Sequence, residues 1–168
     1  MGGGKQHNPR GIKLDLQLAC AASDIPRRKD LRRWAAAALT SRRGAVDLTI
    51  RVVDAAESAQ LNRTYRGRAG PTNVLSFPFE APPGVQSPLL GDLVICAPVV
   101  AREATEQGKP SAAHWAHLVV HGVLHLLGHD HVEPVEAQAM EAAETTILAR
   151  LGIPDPYRQS EPWAAPPR

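Results

Sequence analysis

The sequence predicts a single mixed α/β (α+β) domain. Short segments in which apolar residues alternate are interleaved with longer ones in which they recur at helical spacing. Along the chain the order is strand, helix, strand, helix, two strands and then helices, which suits a small sheet covered by helices. With 168 residues, 43% hydrophobic and 21% charged, the chain has the size and balance to bury one core. The expected architecture is a small, mostly parallel four-stranded sheet packed with about five helices, one of them rich in histidine.

Each element has its own signal. Ile12, Leu14, Leu16 and Leu18 alternate with polar residues, as in a half-buried strand. Pro26 opens a helical segment in which Leu31, Trp34, Ala35, Ala38 and Leu39 form one apolar stripe. Lys29, Arg32 and Arg33 fall on the opposite, basic face, with neutral Ala36 among them. Val46, Leu48, Ile50 and Val52 alternate again. Asp54 is placed to cap a helix through about Tyr65. Arg66 to Pro71 reads as a glycine-containing loop, Asn73 to Phe79 as a third strand, and Ala81 to Pro88 as a proline-rich loop. Leu90 to Cys96 is the fourth strand, and a short helix follows Pro98. Ser111 is placed to cap a long helix to about Leu127, stopped by Gly128. Pro134 opens the last helix, closed at Leu151 with Gly152 and Pro154 beyond it. Residues 11–153 are thus expected to form the domain, between disordered segments at 1–10 and 154–168.

Composition excludes several classes. Two cysteines, Cys20 and Cys96, make no disulfide framework, and each reads as a small buried residue. No stretch approaches the roughly 20 apolar residues of a membrane helix. Met1 to Arg10 is polar and glycine-rich, without a signal peptide's apolar run, and Gln6 stands where a myristoylation site wants Ser or Thr. A cytoplasmic protein without a membrane partner is expected. The net charge of +2 hides an asymmetry: residues 1–70 carry 14 Lys+Arg against 6 Asp+Glu, and residues 71–168 carry 5 against 11. A basic half suits a polyanionic partner, although a solvated Arg-rich face would give the same count.

The chemistry concentrates in His121-Gly-Val-Leu-His125-Leu-Leu-Gly128-His129-Asp130-His131. Histidines four apart on a helix share a face, with Cβ atoms roughly 5–6 Å apart, close enough to chelate one ion. Gly128 lets the chain turn with a positive φ, so that His131 can supply a third ligand. Three neutral nitrogens with one open position are the pattern of a catalytic zinc site. One zinc per chain is expected, and nickel would also accept three imidazoles. The spacing equals that of the metzincin proteases, but their glutamate after the first histidine is replaced here by Gly122. The peptidase base is absent. Three neutral ligands leave the ion its full charge, which suits an anionic phosphodiester better than a peptide. A helix carrying ordinary core or surface histidines is the alternative. His114 lies about 10 Å up the axis from His121, too far to share an ion. His117, one turn away, either hydrogen-bonds a ligand from behind or is a polar-edge residue. Asp130 either orients a ligand imidazole or shapes the turn. His129 reads as a surface residue.

This segment, with its lead-in His114-Trp-Ala-His117-Leu-Val-Val, resembles the YbeY family of bacterial metal-dependent endoribonucleases. Leu61-Asn-Arg-Thr-Tyr65-Arg66-Gly67, Pro71-Thr-Asn73-Val-Leu-Ser-Phe-Pro78 and Leu90-Gly-Asp-Leu-Val-Ile95 agree, as do Met140, Glu144 and Leu151-Gly152. The resemblance spans about Ile12 to Ile153. It implies zinc on His121, His125 and His131, and an arginine needed for activity at Arg66. It also implies work on the 3′ end of small-subunit ribosomal RNA and in ribosome quality control. One departure is Ala69, where the family commonly has an acidic residue.

The expected activity is therefore a zinc-dependent, single-strand-specific endoribonuclease, with RNA of the small ribosomal subunit as partner. Arg66 would stabilise charge on the scissile phosphate, and Arg66 and Asn73 would bind substrate. Without the resemblance, a loop ion pair explains Arg66 equally well. Arg27, Arg28, Lys29, Arg32, Arg33, Arg42 and Arg43 are placed to hold an RNA backbone. Aromatic residues are only 4%, so weakly sequence-specific binding is expected. Two other classes compete: another zinc hydrolase of peptidase-like type, and a non-catalytic ribosome-assembly factor whose metal is structural.

Overall fold

The computed structural model describes residues 11–39, 44–129 and 133–157. Its elements follow the predicted order: β1 (Ile12–Ala19), α1 (Arg28–Ala38), β2 (Val46–Val53), α2 (Ala55–Arg66), β3 (Val74–Pro78), β4 (Leu89–Cys96), α3 (Ala97–Glu106), α4 (Ser111–Leu126) and α5 (Pro134–Arg150). The strands form one sheet in the order β1-β2-β4-β3. β1 pairs with β2, and β2 with β4, in parallel. β3 runs antiparallel along β4, from Val74 opposite Ile95 to Pro78 opposite Gly91.

Side-chain alternation sorts the core into two layers. Leu48, Ile50 and Val52 of β2 and Leu93 and Ile95 of β4 face α1, α4 and α5 in the main cluster. Val94 and Cys96, one residue out of phase, join Val53, Leu75 and Val99 in a smaller cluster on the other face, where Leu61 of α2 packs. β4 is thus covered on both sides, which explains its unbroken apolar run Leu93–Cys96. Leu18 departs from its predicted half-buried stripe. It lies near the end of edge strand β1 and is 59% exposed.

Local chemistry fixes the elements that bear on the site. In α1 the apolar stripe of Leu31, Trp34, Ala35 and Ala38 is buried, while Lys29, Arg32 and Arg33 are exposed. The Arg28 guanidinium donates to the Leu14 carbonyl, which ties the helix start to β1. Asp54 caps α2 by accepting from the Glu57 amide at 3.0 Å, and Gly67 ends the helix with φ +65°. The loop after Arg66 is pinned to the helix before it. Asn62 Nδ2 donates to the Gly70 carbonyl at 2.9 Å, and Ser58 Oγ exchanges hydrogen bonds with both backbone groups of Thr72 at 3.0 Å. That loop is held without a carboxylate at position 69. The predicted cap of α4 is corrected: Ser111 is already helical, and Pro110 occupies the cap position without a side-chain hydrogen bond.

Candidate metal centre

α4 presents His114, His117, His121 and His125 in successive turns. His121 and His125 lie on one face, as predicted, with their Nε2 atoms 3.0 Å apart. Two imidazoles bound to one tetrahedral ion at 2.0–2.1 Å each would stand about 3.3 Å apart. The pair is therefore already near chelating geometry. The Cys96 thiol, in the smaller cluster on the other face of the sheet, is buried and its pKa is pushed up by desolvation.

α5 packs against α4 and contributes Glu144, whose residue is wholly buried. Met140, Ile147 and Leu148 of the same helix face are buried with it. A lone carboxylate in such a stripe needs several donors. Among the described residues it has three: His121 Nδ1, His117 Nε2 at 3.2 Å and the Tyr157 hydroxyl. Burial alone would raise the Glu144 pKa, but the hydrogen bonds from His117 and His121 outweigh it and hold the carboxyl at about 2. An ionised carboxylate only accepts. His121 must therefore carry its proton on Nδ1, and in the neutral ring Nε2 keeps a lone pair directed towards His125. This is the arrangement in which a carboxylate orients a metal-binding histidine.

His117 spends its Nε2–H on the same carboxylate. The Tyr157 ring stands edge-on against it, with centroids 5.5 Å apart and planes at 85°. Burial and the neighbouring Glu144 charge push the Tyr157 pKa up, so the phenol is a donor. His114 belongs to a separate network. It is 3% exposed and bonds Glu103 at 3.0 Å, which also accepts from Asn73 Nδ2 at 3.0 Å. Burial lowers the His114 pKa against the pull of Glu103.

Among the described residues, two overlapping groups of donors could hold a metal. His117, His121 and Glu144 place ligand atoms within 4.8 Å of one another, and this group fits a metal-dependent enzyme. His121 and His125 offer the second group through Nε2. In the first group Glu144 accepts from His117 Nε2 and His121 Nδ1, and in the second the two Nε2 atoms approach each other. His131 and Asp130, expected as third ligand and orienting residue, lie outside the described residues, as do Arg42 and Arg43.

The remaining candidates are dispersed. Gly122 is turned towards the sheet. A Cβ there would lie 2.7 Å from Leu93 Cδ2 and 3.4 Å from Ser76 Oγ, so the position of the metzincin base is filled by strands β3 and β4. Arg66 is exposed at the end of α2. Beside it, Tyr65 is 64% exposed and packs edge-on against Phe77 at 5.1 Å. Asn73 gives its amide NH2 to Glu103, and its carbonyl accepts from the Val74 amide at 2.6 Å. His129 is exposed, as expected. Sequence reasoning missed the roles of Glu144 and Tyr157. The first had a signal, an acid spaced with Met140, Ile147 and Leu148 on one helical face. The second had none, since it lies beyond the last periodic segment.

A mixed α/β domain with a histidine-bearing helix packed on its sheet and a buried carboxylate beside those histidines fits a metal-dependent enzyme. Comparison with known proteins narrows this. The sequence profile described as endoribonuclease YbeY matches residues 19–152. An endoribonuclease YbeY of Alkalilimnicola ehrlichii is 61% identical over 155 residues, covering 89% of this chain and 93% of that protein. The chain belongs to the endoribonuclease YbeY family. A Thermotoga maritima protein known from its solution structure shares the fold, with a TM-score of 0.53 over 87% of this chain and 99% of that one, at 21% identity.

Proposed function

We propose that this chain is a zinc-dependent, single-strand-specific endoribonuclease. Its proposed roles are the 3′-end maturation of small-subunit ribosomal RNA and ribosome quality control. Membership of an endoribonuclease family supplies the reaction class. The observation that carries the metal reading is the 3.0 Å approach of the His121 and His125 Nε2 atoms, with Glu144 behind His121.

In this reading His121, His125 and His131 hold the ion, and nickel would suit the same imidazoles. When bound, zinc supplies Lewis acidity towards a phosphoryl oxygen and acidifies coordinated water. The protein's own part is positional. Glu144 fixes the tautomer and plane of His121. His117 and the Tyr157 hydroxyl hold Glu144 in turn. Arg66, exposed at the end of α2, binds the phosphate with its fork of donors and stabilises charge developing there. The exposed Tyr65 ring next to it offers a face to an unpaired base, which favours single strands over duplex. Asn73 takes part in substrate binding by shaping the start of β3, since its amide is engaged with Glu103. The cytoplasm is the proposed compartment. Among the described residues no helix is long and apolar enough to cross a membrane.

The test is elemental analysis of the purified protein with cleavage of a single-stranded RNA, comparing wild type with His125→Ala. One zinc per chain and cleavage, both lost in the variant, is the expected result. Equal trace cleavage in both proteins would overturn the catalytic reading in favour of an assembly factor with a structural metal. Cleavage of unstructured protein but not RNA would favour the peptidase-like alternative, against which Gly122 stands.

A further inference from the structure

We infer that Tyr157, carried on the turn that follows α5, is a positioning residue for the metal-binding face of His121, acting through Glu144. The inference rests on the proposed zinc site.

The turn is built to deliver this side chain. Gly152, with φ +78°, reverses the chain after α5, and the Ile153 amide returns to the Leu148 carbonyl at 2.9 Å. Asp155 then accepts from the Tyr157 amide at 2.9 Å and from Thr145 Oγ1, on α5, at 3.4 Å. The described residues continue through this turn to Tyr157. Tyr157 is 39% exposed, its ring stands against His117, and its hydroxyl reaches the wholly buried Glu144.

The Glu144 oxygens divide the work. Oε1 takes His121 Nδ1, and Oε2 takes His117 Nε2 and the Tyr157 hydroxyl. With both donors present on Oε2, the carboxylate plane is fixed and Oε1 stays aligned with His121. Without the phenol, Oε2 keeps a single donor, and the carboxylate is free to turn towards His117. His121 then loses the partner that keeps its proton on Nδ1 and its lone pair on Nε2. Groups that hydrogen-bond a metal-ligating histidine from behind typically change metal affinity about 10–100-fold when removed.

The experiment uses the full chain as wild type, Tyr157→Phe and Asp155→Ala, with zinc as the probe. Zinc affinity is read by competition with a chromophoric chelator. The His121 ring nitrogens are read by long-range 1H–15N spectra of the zinc-free protein, and stability by its thermal unfolding. Tyr157→Phe keeps the ring against His117 and removes only the hydroxyl. It is expected to weaken zinc about ten-fold and to mix the two His121 tautomers, with little change in zinc-free melting. Asp155→Ala, which loosens the turn but keeps the phenol, is expected to move both readouts in the same direction by less. Unchanged affinity and an unchanged His121 pattern in Tyr157→Phe overturn the inference, and so does a loss of stability without any change in those two. If wild type binds no zinc, the proposed function fails, while the zinc-free spectra still decide the role of Tyr157.

Discussion

Gly91 shows how a single residue sets the geometry around the helix that carries the histidines. It sits in β4 opposite Pro78 with φ +143°, and a Cβ would lie 2.3 Å from the Phe77 carbonyl oxygen and 2.9 Å from Leu126 Cδ2 of α4. The first obstacle is backbone and cannot turn away. Gly91→Ala is expected to destabilise the protein by about 3 kcal/mol, through a strained φ and a forced shift of the edge strand. Chemical denaturation measures this, and a loss below about 1 kcal/mol would show that β3 moves freely. Gly122 is a milder case. Its nearest obstacle is a side-chain end, but Leu93 is fully buried, so overpacking of about 1–3 kcal/mol opposes a helix-propensity gain of about 1 kcal/mol. Gly122→Ala is expected to cost about 1 kcal/mol net. A gain in stability would show that the layer between α4 and β4 is loosely packed. The same crowding explains why this helix keeps the histidine spacing of the metzincins without their glutamate.

At the scale of elements, the start of α2 joins a cap to an ion pair. Asp54 accepts from the Glu57 amide, and the Glu57 carboxylate receives two hydrogen bonds from Arg51 of β2, at 2.6 and 2.9 Å. The hydrogen bonds from Arg51 lower the Glu57 pKa against the opposing effect of burial. A lowered carboxyl stabilises the fold above its unfolded value of about 4.3, and that contribution fades as pH falls through the folded value. Glu57→Gln is therefore expected to lower Tm at pH 7, with the difference from wild type shrinking as pH falls below about 4.3. An unchanged Tm at pH 7 would show that solvent screens the pair completely. Asp54 was legible as a cap because an acid preceded a helical stripe. The Arg51–Glu57 pair was not, because nothing local reports which strand residue faces which helix. Glu144 lies between these cases. Its burial is written in the spacing of Met140, Ile147 and Leu148, but its partners on α4 and beyond α5 depend on tertiary packing. The strands β1 and β2 and helix α1 were readable from periodicity, and the later helices from their proline, glycine and capping signals. Ser111 misled because proline can occupy a cap position without any side-chain hydrogen bond.

Over the whole molecule the charge asymmetry makes a claim about RNA. The first 70 residues hold 14 of the 19 Lys+Arg, and α1 exposes Lys29, Arg32 and Arg33 on the side away from its buried stripe. The Arg28 side chain is tied to β1, which leaves Lys29, Arg32 and Arg33 as the exposed cations of the helix that can reach phosphates. Each phosphate contact on a single strand adds about 0.7 to the slope of log affinity against log salt. If Arg32 and Arg33 track the backbone, Arg32→Ala/Arg33→Ala should weaken binding of single-stranded RNA uniformly across sequences. It should also reduce that slope by about 1.4. The substitutions leave Leu31, Trp34 and Ala35 in place, so unfolding should change by no more than about 0.5 kcal/mol. Fluorescence anisotropy of a labelled RNA over a salt series gives both quantities. An unchanged slope with intact folding would confine the basic face of α1 to solubility and leave phosphate recognition to Arg66 and its surroundings. A reduced slope would instead extend the RNA footprint from the histidine helix across α1, which packs directly against α4.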